Sequence, residues 1–156
     1  MPNILKPPTP LTAQEGSQSV FLAGSIEMGV AEDWQQVVTA QLEDTDITIY
    51  NPRRDEWDSS WEQSIENPVF RQQVEWELAA QEMADMIIMY FAPSTQSPIT
   101  LLELGLFAHS KKLVVCCPEG FWRKGNVDVV CNRYGIPMVD TIDELVAAVR
   151  SRLEDK

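Results

Sequence analysis

The chain has 156 residues, 44% of them hydrophobic, which fits one globular domain with its own core and excludes two full-sized domains. Twelve basic residues against 24 acidic ones give a net charge of −12, which argues against long nucleic acids as ligands. No apolar run reaches the ~20 residues of a membrane-spanning helix.

The first 18 residues are rich in proline and lack the apolar stretch of a signal peptide. We therefore expect residues 1–18 to form a flexible arm and residues 19–156 to form a single domain. The three cysteines, Cys116, Cys117 and Cys131, follow no metal-binding spacing. We interpret them as reduced core residues of a cytoplasmic protein.

Predicted strands and helices alternate along the rest of the chain. Short apolar runs predict strands at residues 19–24, 47–50, 85–91, 112–117 and 137–139. Apolar residues at helical spacing predict helices at residues 31–42, 70–83, 97–110, 127–134 and 141–153. This order predicts an α/β fold, a doubly wound five-stranded parallel sheet of the flavodoxin or Rossmann type. Ligands of such sheets bind in the crevice at the carboxyl ends of the strands.

Glu103 stands in the middle of the predicted helix over residues 97–110, which is apolar on nearly every side. Ser97 as the cap and Pro98 at the first helical position predict where this helix begins. This apolar composition predicts a buried helix. A carboxylate that shares a face with Ile99, Leu106 and Phe107 would lose much of its hydration, which indicates a functional site. Alternatively, Glu103 emerges at the helix edge and pairs with a Lys or Arg. The residue pattern leaves both interpretations open.

Further carboxylates lie near the expected crevice, at Glu27, Glu77 and Asp85. Two carboxylates about an anomeric carbon are the usual means of breaking a glycosidic bond, because one attacks the carbon and the other carries protons. Glu75 and Glu77 lie on opposite sides of their helix, so at most one of them points into the site. The alternative is that Glu77 lies on a solvated helix face and that Asp85 is a solvated or capping residue.

Three stretches of the chain carry a family resemblance: FLAGS, VEWELAAQEMADMIIMYF and SPITLLELGLFAHSKKLVVCCPEGFWRKGNVD. Together they resemble the nucleoside 2-deoxyribosyltransferase superfamily over residues 20–134. NPRRDEWD and GFWRKGNVD are similar to its 2-deoxyribosyltransferase-like branch. The resemblance implies that the glutamate of the ELG motif, here Glu103, attacks C1′ of a 2′-deoxynucleoside and releases the base. The sugar then passes to another base or to water, with no metal or organic cofactor.

The resemblance also implies roles for other residues. Glu77, eight residues before Asp85, helps to hold the sugar or the nucleophile, and Asp85 is assigned to substrate binding. Asn126 of a neighbouring subunit contacts the 5′ end of the sugar, which implies a homo-oligomer of at least two subunits. The expected partners are thus a deoxynucleoside or deoxynucleotide, a free nucleobase and further copies of the chain.

The chain departs from the family pattern around the nucleophile. Phe21 stands where the family has a tyrosine that bonds to the nucleophile, so Glu103 needs another partner, for which Tyr50 or Tyr90 is a candidate. Glu77 stands where an aspartate is common and adds one methylene of reach.

A third departure concerns Ser97, which stands where transferases have an aspartate that addresses the base. The chain is similar here to the related deoxynucleoside 5′-monophosphate N-glycosidases, in which a serine at this position binds phosphate and the first loop reads GSI. In this chain the loop has Gly24, Ser25 and Ile26. Arg53 or Arg54 would neutralise the phosphate. The alternatives are that Ser97 only caps its helix and that the arginines form surface salt bridges.

Three functions therefore follow from the resemblance. The first is a nucleoside 2-deoxyribosyltransferase that forms a glycosyl-Glu103 intermediate. The second is a 2′-deoxynucleoside 5′-monophosphate N-glycosidase, with water as the acceptor. The third is a nucleotide-binding module without turnover, since the usual Tyr and Asp are absent. Trp57, Trp61 and Trp122 would stack on a base or pack as core or lid residues.

Overall fold

The computed structural model describes residues 1–12, 16–25, 33–53 and 62–154 of the chain. In these residues six parallel strands form one sheet in the order β1-β3-β2-β4-β5-β6. The strands are β1 (Asn3–Leu5), β2 (Ser19–Gly24), β3 (Thr48–Tyr50), β4 (Met86–Tyr90), β5 (Leu113–Cys116) and β6 (Met138–Val139). The helices are α1 (Trp34–Gln41), α2 (Pro68–Met83), α3 (Pro98–Phe107), α4 (Lys124–Tyr134) and α5 (Ile142–Glu154).

The predicted α/β fold with a parallel sheet is confirmed, and it has six strands rather than five. The additional strand is β1, which pairs with β3 in the register Asn3 to Thr48 and lies in the segment expected to be an arm. A three-residue strand is too short to show a periodic pattern, so it could not be predicted from apolar runs. Its Leu5 reaches the core, and the Trp76 indole N–H donates to the Thr9 carbonyl at 2.8 Å, which ties this segment to α2.

Helices cover both faces of the sheet. On one face α2, α3 and α4 pack Trp76, Leu104 and Val127 against the strands. On the other face α1 and α5 pack Trp34 and Leu145. The strands between these layers are apolar on both faces, as in β4, whose five residues are all buried. None of the described helices is long and apolar enough to cross a membrane.

The protein interior also holds the three cysteines. Cys116, Cys117 and Cys131 are buried and free of disulfide bonds, in agreement with their interpretation as reduced core residues. Burial raises the pKa of Cys116 to about 12, so this thiol stays protonated at neutral pH.

Helix α3 is not buried on all sides, contrary to expectation. Ile99, Leu102 and Leu106 are 58%, 60% and 55% exposed, whereas Glu103 is only 6% exposed. The expectation that Glu103 shares a face with Ile99 and Leu106 is therefore wrong. Because nearly every position of this helix is apolar, its hydrophobic pattern does not show which side faces the sheet. The inner side carries Thr100 together with Glu103.

The chain reverses its direction of winding between β2 and β4. The segment after β2 leads through α1 to β3 on one side, whereas the segment after β4 leads through α3 to β5 on the other side. In open parallel sheets, ligands bind at such a switch point, outside the carboxyl ends of the two strands. Ser25 follows β2 and Ser97 begins α3 after β4, so both lie at this position.

Candidate active site

Glu103 is a buried carboxylate between α2 and α3. The Gln81 side-chain amide donates from Nε2 to Glu103 Oε2 at 2.6 Å. Burial raises the pKa of Glu103 to about 7, and the hydrogen bond from Gln81 lowers it part of the way back. Within the described part of the chain no salt bridge involves Glu103, so the helix-edge pairing with a Lys or Arg is not what the structure shows.

Glu77 is the second acid of this site. It is half-buried on α2, one helical turn before Gln81. Burial and then the charge of Glu103 raise the pKa of Glu77 to about 8, whereas a hydrogen bond from Gln73 lowers it. The repulsion between the two carboxylates means that they share a site, and neighbouring acids with raised pKa values are typical of a pair that divides acid and nucleophile roles.

Two buried glutamines flank Glu77 on the same face of α2, at a spacing of four residues. Gln73 donates to the Pro52 carbonyl at 3.1 Å, four residues before Glu77. Four residues after Glu77, the Gln81 amide bonds to Glu103 and also donates to the main-chain carbonyl of Glu77 at 3.1 Å. The acids are therefore set among amide donors along one stripe of the helix.

Gln81 is the partner of Glu103, and it was not among the residues predicted from the sequence. Tyr50 and Tyr90 were the expected candidates, and that expectation is wrong. Tyr50 bonds to Ser19, and Tyr90 lies on the other face of the sheet, against the Trp34 ring at a centroid distance of 5.5 Å. The four-residue spacing of Gln73, Glu77 and Gln81 is the signal that would have indicated Gln81, since it places all three on one helix face.

Three buried hydroxyl groups meet at the switch point. Ser25 Oγ lies 2.9 Å from Thr95 Oγ1, and Thr95 Oγ1 lies 2.7 Å from Ser97 Oγ. The Ala92 main-chain N–H donates to Ser25 Oγ at 3.0 Å. The sequence predicted Ser25 and Ser97 as binding residues but did not single out Thr95. We call these three residues the hydroxyl cluster.

Ser97 has an unusual role at the start of α3. Its backbone is left-handed, with φ of 46°, and its side chain makes no capping hydrogen bond. The interpretation that Ser97 only caps its helix is therefore wrong, because its hydroxyl points into the hydroxyl cluster instead. A non-glycine residue with positive φ is strained, and such strain concentrates at functional sites.

Gly24 closes β2 next to the hydroxyl cluster. A Cβ at this position would lie 2.5 Å from Trp34 Cζ2 and 2.6 Å from the Tyr90 carbonyl oxygen. The glycine therefore allows β2, β4 and α1 to approach closely where Ser25 follows. This is a packing role that brings Ser25 to its position.

Arg53 follows β3 and is engaged within the protein. Its Nε lies 3.2 Å from Asp33 Oδ1 and donates to Gln35 Oε1 at 3.4 Å. This agrees with the salt-bridge alternative. Arg54 and Glu27 lie outside the described residues.

Two predicted substrate-binding residues are not brought to Glu103 or to the hydroxyl cluster. Asp85 lies before β4, at the amino ends of the strands, where it accepts from the Ser19 main-chain N–H at 2.8 Å. It is thus at the opposite edge of the sheet from Ser25 and joins β2 to β4. Asn126 is exposed on α4, which places it on the outer surface of the subunit.

Trp122 lies near the amino end of α3. Its indole N–H donates to the Gln96 carbonyl at 2.9 Å, and the guanidinium of Arg123 lies 4.3 Å from its ring centroid. The ring is 52% exposed, so it is not a core residue. Trp57 and Trp61 lie outside the described residues.

The family comparison covers most of the candidate site. A family model described as "Nucleoside 2-deoxyribosyltransferase like" matches residues 17–121, more than half of the chain. The chain belongs to the nucleoside 2-deoxyribosyltransferase-like family. The matched residues include Glu77, Gln81, Glu103 and the hydroxyl cluster, whereas Asn126 lies beyond them. No curated protein matches the chain significantly.

Membership of the nucleoside 2-deoxyribosyltransferase-like family indicates an enzyme of the glycosyl-transfer or glycosidase type that binds a nucleoside or nucleotide and a base. The described residues contain no group of three or more His, Cys, Asp and Glu side chains placed to hold a metal ion. The chemistry that this arrangement offers is that of two carboxyl groups in a water-poor space between helices.

Proposed function

We propose that the protein is a nucleoside 2-deoxyribosyltransferase that moves 2-deoxyribose between purine or pyrimidine bases through a covalent glycosyl-Glu103 intermediate. The observation that carries the proposal is the buried Glu103 carboxylate, bonded through one oxygen to Gln81 and flanked by the second acid, Glu77. A carboxylate that has lost most of its hydration reacts more readily with a carbon that gains positive charge.

The proposed reaction takes place in two displacements. A carboxylate oxygen of Glu103 forms a bond to C1′ as the bond from C1′ to the base nitrogen breaks, and the electron pair of that bond leaves with the base. Glu77 is protonated at neutral pH because its pKa is about 8, so it has a proton to give to the departing base. A nitrogen of the incoming base then attacks C1′, returns the proton to Glu77 and releases Glu103.

A second candidate is a 2′-deoxynucleoside 5′-monophosphate N-glycosidase, which the hydroxyl cluster favours. Ser25, Thr95 and Ser97 lie at the amino end of α3, where hydroxyl and main-chain N–H donors and the helix dipole suit a phosphate group. In this reaction water takes the place of the incoming base, so the products are the free base and 2-deoxyribose 5-phosphate. Arg53 would add positive charge near the phosphate.

Base exchange and base release separate the two candidates. The protein would be incubated with deoxyinosine plus adenine and, separately, with dGMP alone, and the products would be separated by liquid chromatography. Deoxyadenosine formation supports the transferase, and guanine release from dGMP supports the glycosidase. A 2-fluoro-2-deoxyribosyl donor would trap the covalent intermediate, and mass spectrometry should locate the adduct on Glu103.

The trapping experiment also tests the third function, a nucleotide-binding module without turnover. That function is favoured by Phe21, which is buried in the core and offers no hydroxyl to the nucleophile. Nucleotide binding without an adduct, exchange or release would establish the module and overturn both enzymatic candidates. The Glu103→Gln variant, which keeps the shape of the side chain, is the control that should form no adduct.

We also propose that the protein acts as a homo-oligomer in the cytoplasm. The outer face of α3 exposes Ile99, Leu102 and Leu106 on the helix that carries Glu103. An exposed apolar stripe of this kind is typical of an interface between subunits, and a second copy of the chain is the occupant that would bring Asn126 to a neighbouring site. The free thiols favour a reducing compartment.

A further inference from the structure

We propose that Gln81 is the positioning residue of the nucleophile: its amide holds Glu103 Oε2 and leaves the other carboxylate oxygen for the sugar carbon. The inference rests on the proposed glycosyl chemistry of Glu103. Gln81 does not touch the substrate in this proposal, because its side chain is 0% exposed.

The orientation of the Gln81 amide is fixed by two acceptors. Its Nε2 donates to Glu103 Oε2 at 2.6 Å and to the Glu77 carbonyl oxygen at 3.1 Å, which uses both amide protons. Rotation of the amide by half a turn would place its oxygen against these two acceptor oxygens. The donor is therefore set towards Glu103 before any substrate arrives, which is the property that makes a hydrogen bond useful in catalysis.

The buried amide of Gln81 is unfavourable for folding, which indicates that this side chain does not serve stability. Gln81 Oε1 is buried, and no described group donates a hydrogen bond to it. An unpaired buried carbonyl oxygen is unfavourable, and an apolar side chain of the same length would fill the space without one. What the amide adds over such a side chain is its bond to Glu103.

The main chain at Gln81 is also held in place. Lys112 Nζ donates to the Gln81 carbonyl at 3.2 Å and to the Glu82 carbonyl at 2.8 Å. These bonds anchor the last turn of α2, where carbonyl groups lack partners within the helix. The amide of Gln81 therefore extends from a fixed point towards Glu103.

The test is Gln81→Met, which keeps the length of the side chain and removes the donor. We expect kcat to fall about 10- to 100-fold with little change in KM, since a hydrogen bond to a charged group is lost while the substrate contacts remain. Carbon-13 NMR of glutamate-labelled protein without substrate should show a higher pKa for the Glu103 carboxyl. Glu103→Gln would assign the signal, and Glu77→Gln would separate the contribution of the neighbouring acid.

Gln72→Met is the matched control, because Gln72 is exposed on the same helix and bonds to neither acid. It should leave kcat and the Glu103 titration unchanged. A folded Gln81→Met protein with the wild-type Glu103 titration and kcat would overturn this inference. An inactive wild-type protein would instead overturn the proposed function, whatever the titration shows. If Gln81→Met does not fold, Gln81→Asn keeps a polar amide but shortens its reach to Glu103, and it should likewise lower kcat and raise the pKa of Glu103.

Discussion

The Ser25 and Ser97 hydroxyl oxygens lie 2.5 Å apart, although 72 residues separate the two serines in the chain. They meet because β2 and β4 are neighbours in the sheet and each serine follows the carboxyl end of one of these strands. Ser97 reaches this position with a left-handed backbone. The contact therefore depends on the sheet order and on a strained turn together.

The strain at Ser97 allows its backbone and its hydroxyl to be tested separately. Ser97→Gly removes the hydroxyl and relieves the left-handed conformation, so we expect a melting temperature equal to or above that of the wild type. If the hydroxyl cluster binds phosphate, KM for dGMP should rise about tenfold, while KM for deoxyinosine stays unchanged. Steady-state kinetics with both substrates and thermal denaturation provide the measurements.

The chain contains a matched control for this variant. Lys111 also has a positive φ, 64°, and is exposed at the opposite end of α3. Lys111→Gly should share any gain in melting temperature but leave KM for dGMP unchanged. Equal KM changes for the nucleoside and the nucleotide in Ser97→Gly would contradict a phosphate-binding role for this residue.

Glu103→Gln should separate catalysis from stability. The amide cannot act as a nucleophile, so we expect base exchange or base release to fall at least about a thousandfold. At low pH the variant and the wild type should have the same free energy of unfolding. At about pH 8 the variant should be the more stable of the two, because the wild-type carboxylate is then ionised at a site that is 6% exposed. Product formation and urea denaturation measure the two effects.

Glu75→Gln is the control for Glu103→Gln. Glu75 is exposed on α2 and pairs with Arg71 at 3.2 Å, a surface ion pair that contributes little. Its substitution should change neither activity nor the pH dependence of unfolding. A Glu103→Gln protein that unfolds at all pH values would instead indicate that the carboxylate has a structural role.

The fold could be read from the sequence because parallel strands buried on both faces produce unmistakable apolar runs. Residues 86–90 consist of five apolar residues and form the buried strand β4. The strand β1 could not be read, since three residues carry no pattern and their pairing with β3 depends on contacts distant in sequence. Local patterns thus predicted the centre of the sheet better than its edge.

The acids of the candidate site stood out in the sequence, whereas the residue that hydrogen-bonds to Glu103 did not. Glu103 stood out because a charged residue in an apolar helix is unusual, and the structure buries it. Gln81 did not stand out, because a glutamine in a helix is ordinary: the four-residue spacing places it on the face of Glu77, but its bond to Glu103 forms only when α2 packs against α3. Asp85 was predicted to bind substrate, and that prediction has no support in its position. It directly precedes β4, so it lies at the amino ends of the strands, at the opposite edge from the crevice.

The pH dependence of stability should report the two acids of the site, Glu77 and Glu103. Because burial raises the pKa of Glu103 to about 7 and that of Glu77 to about 8, from an ordinary 4.5, the folded protein binds more protons than the unfolded chain between these values. The free energy of unfolding should therefore fall as the pH rises from about 4.5 to about 8, by at most about 1.4 kcal/mol per pH unit for each group. Urea denaturation across this range measures the slope.

Substitution of the two acids should remove this slope. Glu103→Gln and Glu77→Gln should each reduce it, and the double variant should be nearly flat. Asp44 does not contribute within this window, because the hydrogen bond from Arg150 lowers the pKa of Asp44 below its ordinary 3.8. An undiminished slope in the double variant would mean that other groups titrate with folding.

The proposed homo-oligomer makes the last prediction. Leu106→Lys places a charge on the exposed apolar face of α3, 55% exposed in the subunit, and should shift the protein from oligomer to monomer in light scattering after size exclusion. Val37→Lys is the control, since Val37 is exposed on α1 on the other face of the sheet, and it should leave the mass unchanged.

If Asn126 completes a neighbouring site, mixing inactive Glu103→Gln with inactive Asn126→Ala should restore activity, because a mixed dimer contains one intact site. A monomeric wild-type protein with full activity would contradict both the interface and the shared site.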